Sequence, residues 1–96
     1  MQAAVEAARL LVYKASWMKD KGERNSFYAS MAKLLASRAA VSNADQAVQI
    51  YGGLGFNSES SVEKLYRDAK IFELYEGTSQ IQRLVISRML ADLYDA

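Results

Sequence analysis

Proline is absent from all 96 residues, and apolar side chains recur three and four positions apart along most of the chain. This spacing favours a helix, because it places the apolar residues on one face, whereas a half-buried strand requires strict alternation. Glycine interrupts the pattern at three places, in "KDKGERN", in "YGGLGF" and in "IFELYEG". The sequence therefore predicts an all-α fold in which glycine-containing breaks separate long helices.

These breaks divide the chain into three substantial helices and one short helix. The first is predicted over residues 2 to about 19 and ends where Gly22 can adopt the left-handed backbone conformation. The second is predicted over residues 26 to 51, with Asn25 or Ser26 as its cap. It carries a stripe of small residues, which permits close helix packing: Ala32, Ala36, Ala40, Ala44 and Ala47.

Two capping boxes are predicted in the second half of the chain. Ser60 and Glu63 have the required spacing at the start of a short third helix, and Ser79 and Gln82 repeat it at the start of the last helix. The segment "IFELYEG" is predicted to connect these two helices. Short connections between helices indicate an antiparallel, four-helix-type bundle.

The composition limits the chain to one small domain. An apolar content of 51% with 24% charged residues supports a single modest core. Cysteine and histidine are both absent, so neither a disulfide nor a Cys/His metal cluster reinforces that core, and no metal site is predicted. We therefore expect a partner subunit or a further domain to contribute to stability.

Charge and hydropathy exclude two classes of partner. The net charge is +1 with both signs interspersed, so the basic stripe typical of nucleic-acid binding is missing. No segment approaches the roughly 18 to 20 consecutive apolar residues of a membrane span. Glu6 and Arg9 lie where a signal peptide would need a continuous apolar segment. The absence of cysteine is compatible with a reducing compartment.

The first glycine-rich junction of interest is "QIYGGLGF", residues 49 to 56. A helix end followed by a turn explains it without any ligand. The segment lacks the Lys and Ser/Thr of a phosphate-binding loop, and it lacks the strand and spacing of a dinucleotide fingerprint. A nucleotide-phosphate site of either kind is therefore not predicted here.

The second junction is "ELYEGTSQIQRL", in which Glu76 has two interpretations. An acid near a helix N-terminus complements the macrodipole by about 0.3–1 kcal/mol. Alternatively, the apolar residues of "IFEL" just upstream deprive Glu76 of hydration, which makes a carboxylate a competent base near neutral pH. Glu73 is the weaker candidate for a base and is predicted to pair with Lys70.

Three linked motifs carry a family resemblance. They are Q-x-x-G-G at residues 49–53, R-D-A-K at 67–70 and Y-E-G-T-x-Q at 75–80. Together with "KGERNSFYASMAK" and "ISRML", they resemble the C-terminal helical domain of the acyl-CoA dehydrogenase family over nearly all of residues 1–96. In detail the chain is most similar to the medium-chain members.

The resemblance implies a flavin enzyme that introduces a trans double bond between the α and β carbons of an acyl-CoA. Glu76 falls on the position of the catalytic base, which removes the α proton while the β hydride moves to the flavin N5. The backbone N–H of Glu76 and a ribityl hydroxyl of FAD would stabilise the developing enolate oxygen. Tyr75 would line the acyl pocket, and Gly77 would allow close approach of substrate and cofactor.

The resemblance also implies FAD contacts at both junctions. Thr78 and Gln80 match positions that contact FAD at the start of the last helix, where a helix N-terminus suits a pyrophosphate. Gln49, Gly52 and Gly53 match a turn that meets the adenosine part of FAD bound to a neighbouring subunit. A homo-oligomer, either a dimer or a tetramer, is therefore expected. The R-D-A-K motif is interpreted as a structural ion-pair or cap network.

In this family an N-terminal helical domain and a middle β domain precede the matched domain and hold most of the flavin ring and the CoA. Catalysis by residues 1–96 alone is therefore not expected. The implied partners are an acyl-CoA substrate and an electron-transferring flavoprotein, in the bacterial cytoplasm or the mitochondrial matrix. Two alternatives stay open: an acyl-CoA oxidase, which uses oxygen as acceptor, and a non-catalytic helical module that oligomerises through its Ala-rich stripe.

Overall fold

The computed structural model describes residues 1–94, and within them every regular element is a helix. The elements are α1 (Gln2–Asp20), α2 (Ser26–Tyr51), α3 (Gly53–Phe56), α4 (Val62–Ala69), a 3-10 helix (Lys70–Glu73) and α5 (Ser79–Tyr94). The predicted all-α helical bundle is confirmed. No helix in this part of the chain is both long enough and apolar enough to cross a bilayer.

Gly22 ends α1 as predicted, with a φ of +75°. Its N–H donates to the carbonyl of Lys19 at 3.0 Å, and the N–H of Glu23 donates to Met18 at 3.0 Å. This pair of hydrogen bonds is the Schellman arrangement, which satisfies carbonyls left free at a helix end. The chain therefore reverses direction within a few residues.

The helices α1 and α2 are antiparallel. The side-chain amide of Asn25 donates to the carbonyl of Ala15 at 2.9 Å. Further along, the amide of Asn43 lies 3.5 Å from the carbonyl of Met1. The prediction that Asn25 caps α2 through its side chain is wrong, because its amide is used in the contact with α1 and makes no cap hydrogen bond.

Helix α2 is central, and every other helix packs against it. The buried apolar residues are all alanines, which allow backbones to approach closely but bury little surface: Ala8, Ala15, Ala32, Ala39 and Ala69. Of the predicted small-residue stripe, Ala32 is buried and the other four are half-buried. The core is therefore thin, as the size of the chain predicts.

The short helix α3 occupies the glycine-rich segment where the sequence predicts only a turn. A Cβ at Gly55 would lie 2.5 Å from the carbonyl oxygen of Val48, so glycine allows α3 to fold back onto the end of α2. The 3-10 helix similarly occupies the first three residues of the predicted connector "IFELYEG". Both departures depend on tertiary contacts that local propensity does not encode.

The capping box predicted at Ser60 and Glu63 does not form. Helix α4 begins after Ser61 without a side-chain cap. The hydroxyl of Ser60 donates instead to the carbonyl of Leu54 at 2.8 Å, and Glu63 binds Arg67. Each side chain of the predicted pair therefore has a different partner.

The molecule is elongated and leaves many apolar side chains in solvent. Its radius of gyration is 16.1 Å, against about 12 Å for a compact domain of this length. Phe56 is 87% exposed and Ile50 is 72% exposed. Exposed apolar surface of this extent is typical of a chain whose faces are covered by other protein surfaces.

Candidate functional site

The Glu76 loop, residues 74–78, joins the 3-10 helix to α5 and has an unusual backbone. Glu76 has a φ of +54°, and among the residues described it is the only non-glycine residue with positive φ. Gly77 follows with a φ of +93°. The left-handed region costs a residue with a Cβ about 1–2 kcal/mol. Such a conformation persists where surrounding contacts enforce it, and these sites cluster at functional positions.

Two side chains of α2 bind the backbone on either side of Glu76. The ammonium of Lys33 donates to the carbonyl of Phe72 at 2.6 Å and to that of Gly77 at 3.3 Å. The hydroxyl of Ser37, one turn further along α2, also lies 2.7 Å from the carbonyl of Phe72. Sequence reasoning missed both residues. Neither residue has a distinctive sequence signal, because a lone lysine or serine on a helix is common.

Contacts from α5 hold the other end of the Glu76 loop. The side-chain amide of Gln82 donates to the carbonyl of Gly77 at 3.3 Å, and Thr78 Oγ1 accepts the backbone N–H of Ile81 at 3.2 Å. Thr78 is thus the cap of α5, and the predicted capping box of Ser79 and Gln82 is wrong because Gln82 binds Gly77. Ser79 is buried, and its hydroxyl has no partner within residues 1–94.

The side chain of Glu76 is exposed in this chain. Its apolar neighbours Ile71, Phe72 and Leu74 are themselves 41–52% exposed, so they do not shield it from water. The expectation that these residues deprive Glu76 of hydration is therefore wrong for this chain by itself. Glu73, in contrast, pairs with Lys70 at 3.0 Å as predicted.

Tyr75 packs edge-on against Phe72, with the ring centroids 5.8 Å apart, and its own ring is half exposed. The ammonium of Lys33 lies 5.8 Å from the centroid of the Tyr75 ring. Beneath these rings, a groove of about 280 Å³ runs along the small-residue stripe past Ala36 and Ala40. Tyr75, predicted to bind substrate, therefore borders a largely apolar groove.

The residues at the first junction lie at the opposite end of α2. Gln49, Gly52 and Gly53 are exposed, and Gly52 has a φ of +65°. A Cβ at either glycine would meet no atom within 4 Å, so a ligand could approach the backbone there. Gln49 follows Lys33 by 16 residues, which is about 24 Å along the helix. The structure thus does not bring this group together with the Glu76 loop, which Lys33 contacts.

The R-D-A-K segment forms ion pairs within α4 and its continuation. Arg67 binds Glu63 at 2.7 Å, and Lys64 binds Asp68 at 2.8 Å. The hydrogen bond from Arg67 holds the pKa of Glu63 below its ordinary value, and that from Lys64 does the same to the pKa of Asp68. All four groups are at the surface. Within residues 1–94 no cluster of acidic side chains could hold a metal ion.

Comparison with known proteins identifies the family. Residues 1–91 match the model of the acyl-CoA dehydrogenase C-terminal domain. The chain is 49% identical, over 88% of its length, to cyclohexane-1-carbonyl-CoA dehydrogenase of Geobacter metallireducens, and covers 22% of that protein. It is 50% identical, over 98% of its length, to the human mitochondrial short-chain specific acyl-CoA dehydrogenase, and covers 23% of it. The chain thus spans less than a quarter of the length of these relatives.

Solved structures of similar proteins have the same fold as this chain. Butyryl-CoA dehydrogenase from Megasphaera elsdenii matches with a TM-score of 0.90 and 43% identity over 94% of this chain and 24% of that one. A structure titled for the electron transferring flavoprotein of Acidaminococcus fermentans matches with a TM-score of 0.90 and 46% identity, over the same shares of both chains. The FAD complex of PigA matches with a TM-score of 0.91 and 31% identity over 95% of this chain and 24% of that one.

These relatives include proteins named for short-chain and cyclohexane-1-carbonyl substrates, so the likeness to medium-chain members stays a prediction. The family itself was predicted from the three motifs and is confirmed by the match over residues 1–91. The chain belongs to the acyl-CoA dehydrogenase family, in which it matches the C-terminal domain.

Proposed function

We propose that residues 1–96 form the C-terminal helical domain of an FAD-dependent acyl-CoA dehydrogenase, in which Glu76 removes the α proton of the substrate. The observation that carries this proposal is the backbone of Glu76, which has a φ of +54° in a loop bound from both α2 and α5. A strained, enforced conformation at an acid side chain is typical of a catalytic position. The product would be a trans-2-enoyl-CoA.

The backbone of the same loop supports a second role. Within residues 1–94, the N–H of Glu76 donates to no protein acceptor. A free N–H adjacent to the base is suited to bind the thioester oxygen, on which negative charge develops as the α proton leaves. One residue would therefore supply both the carboxylate that takes the proton and a donor that stabilises the resulting charge.

The residues at both junctions fit FAD. Thr78 Oγ1 accepts from the N–H of Ile81, which leaves its own hydrogen available for a ligand oxygen, and Gln80 is exposed beside it. The N-terminus of α5 carries the positive end of the helix dipole, which suits a pyrophosphate. At the other junction, the open space beside Gly52 and Gly53 would admit the adenosine part of a second FAD. Bound FAD would accept the β hydride of the substrate.

The proposed function also assigns residues to the acyl pocket and predicts a homo-oligomer. Tyr75 would line the acyl pocket, and Gly77 would leave room for the thioester beside the backbone. Because Gln49, Gly52 and Gly53 lie at the end of α2 that is distant from the Glu76 loop, a homo-oligomer would let each subunit complete the site of its neighbour. Gln49 would then act across the subunit interface. The N-terminal helical and middle β domains of the full-length enzyme would hold most of the flavin ring and the CoA.

The electron acceptor and the compartment are proposed by analogy with the relatives. An electron-transferring flavoprotein would reoxidise the flavin, in the bacterial cytoplasm or the mitochondrial matrix. An acyl-CoA oxidase would keep the same base and use oxygen instead. Reoxidation of the reduced holoenzyme by an electron-transferring flavoprotein under anaerobic conditions, with slow reoxidation by air, would favour the dehydrogenase. The reverse result would favour the oxidase.

The test of the base is Glu76→Gln in the full-length enzyme. We expect flavin content and acyl-CoA binding to be retained, and the rate of flavin reduction by acyl-CoA to fall by about 10²–10⁴-fold, the usual contribution of a general base. The matched control is Glu73→Gln, three residues earlier, where the carboxylate pairs with Lys70. A Glu76→Gln enzyme that reduces its flavin at the rate of the control would disprove the assignment, because a different group would then be removing the α proton.

A further inference from the structure

The Glu76 loop is bound by a lysine of α2 that pairs with no acidic side chain of residues 1–94. Lys33 lies in the N-terminal third of α2, half-buried, and within residues 1–94 it forms no ion pair. Its ammonium donates instead to two backbone carbonyls that are 39 and 44 residues away in the sequence, those of Phe72 and Gly77.

The two acceptors lie on either side of Glu76. Phe72 is four residues before it and Gly77 directly follows it. The Gly77 carbonyl has two lone pairs, which Lys33 and the amide of Gln82 occupy from opposite helices. The Phe72 carbonyl likewise accepts from Lys33 and lies 2.7 Å from the hydroxyl of Ser37. Both ends of the segment are therefore fixed to the rigid central helix.

These contacts explain how a glutamate keeps a left-handed backbone. Without them, Glu76 at a φ of +54° would relax towards negative φ, because its Cβ clashes in the left-handed region. Such a rotation about the backbone would move both the carboxylate and the N–H of Glu76. The donors on α2 thus act on the direction of the acid side chain through the backbone, because within residues 1–94 neither Lys33 nor Ser37 forms a hydrogen bond or an ion pair with the Glu76 carboxylate.

We infer that Lys33, with Ser37, is a positioning residue for proton abstraction: it holds the Glu76 loop in the strained conformation from which the carboxylate reaches the α proton. This inference rests on the proposed function. The charge of Lys33 is used to bind carbonyl oxygens more strongly than a neutral donor would. Loss of the ammonium should therefore slow the chemical step more than it weakens substrate or cofactor binding.

The experiment uses the full-length holoenzyme with Lys33→Met, which keeps the unbranched stem and removes the donor. Lys33→Arg restores a cation with several donors and serves as the rescue. The matched control is Lys64→Met, which removes an exposed lysine from α4 that pairs with Asp68. For each protein, single-turnover flavin reduction, the KM for acyl-CoA, flavin content and melting temperature are measured. The reduction is repeated with acyl-CoA deuterated at the α carbon, and amide exchange is followed over residues 75–78.

We expect Lys33→Met to reduce the flavin about 100-fold more slowly, as a displacement of reacting groups by about 1 Å does. KM, flavin content and melting temperature should change little, whereas the isotope effect should rise and the amides of residues 75–78 should exchange faster. Lys33→Arg should recover most of the rate, and Lys64→Met should match the wild type. A Lys33→Met enzyme with wild-type rate and exchange, or one whose rate falls only in proportion to lost flavin, would overturn the inference.

If Lys33→Met does not yield folded holoenzyme, Ser37→Ala takes its place with the same measurements. Faster exchange over residues 75–78 with slower reduction would support the inference, and wild-type values for both would overturn it. Failure of the proposed function would give a different result from failure of the inference about Lys33. It would appear in the wild-type enzyme as no flavin reduction by acyl-CoA, or as undiminished reduction in Glu76→Gln.

Discussion

Gly55 allows α3 to fold back on α2, and replacing it with alanine is a direct test of that packing. An added Cβ would lie 2.5 Å from the Val48 carbonyl oxygen, 2.9 Å from the Cβ of Tyr51 and 3.0 Å from the Cα of Val48. Two of these three atoms belong to the backbone of α2, so no side-chain rotation relieves the clash with them. Helix α3 must move away, or the last turn of α2 must unwind.

The expected cost follows from this geometry. Introducing a group into a packed contact usually costs about 1–3 kcal/mol. A loss of about 2 kcal/mol in a domain of this size lowers the melting temperature by roughly 8–16 °C. The matched control is Gly53→Ala in the same helix, where a Cβ would meet nothing within 4 Å. That change should leave stability unaltered or raise it slightly, because alanine restricts the unfolded chain.

Urea denaturation of the 96-residue chain, followed by circular dichroism, compares the two variants. The thin core makes the comparison sensitive, since a small stability margin is easily lost. Equal midpoints for Gly55→Ala and Gly53→Ala would refute the packing of α3 on α2. They would also remove the physical reason for a one-turn helix in a glycine-rich segment.

Three further predictions concern the helix ends and the surface. Gly22→Ala should cost about 1–2 kcal/mol through its φ of +75° alone, because no atom lies near the added Cβ; urea denaturation measures this. Gly77→Ala would place a Cβ 2.7 Å from the amide nitrogen of Gln82, and the full-length enzyme should lose flavin-reduction rate together with stability. The pKa of Glu63 is lowered by Arg67, so its stabilising effect is present above the ordinary carboxyl pKa and is lost as pH falls through the lowered value. Arg67→Met should therefore flatten the acid side of the stability profile, and an unchanged profile would contradict the role of this pair.

The sequence was sufficient for the features that depend on local chemistry. Helix α2 has the predicted bounds, and α1 extends one residue beyond the predicted end, because the break at Gly22 is decided by residues a few positions apart. The pairing of Glu73 with Lys70 was also predicted, since both lie on one short segment. The family motifs located Glu76, and nothing in the periodicity alone would have singled it out from the other acids.

The features that were missed depend on side-chain partners that the local sequence patterns do not specify. The amide of Asn25 binds α1 instead of capping α2, and Gln82 binds Gly77 instead of completing a capping box. In each case the side chain binds a different partner from the one that the capping pattern predicts. Lys33 is the clearest example, because its two acceptors are about 40 residues away and a lone lysine on a helix has no distinctive sequence signal.

A catalytic base must be both oriented towards its substrate and shielded from water, and the exposure of Glu76 shows that these two requirements are met separately. Orientation of the acid is provided within this chain, by donors on α2 and α5 that enforce a positive φ. Dehydration of the acid is not provided within residues 1–94, because the apolar neighbours of Glu76 are themselves exposed. On the proposed function, the surfaces that cover those neighbours would also exclude water from the carboxylate and strengthen it as a base. An exposed acid on a strained, well-anchored loop is thus what a catalytic domain should show before the rest of its site closes over it, whereas a purely structural loop would have no reason to retain the strain.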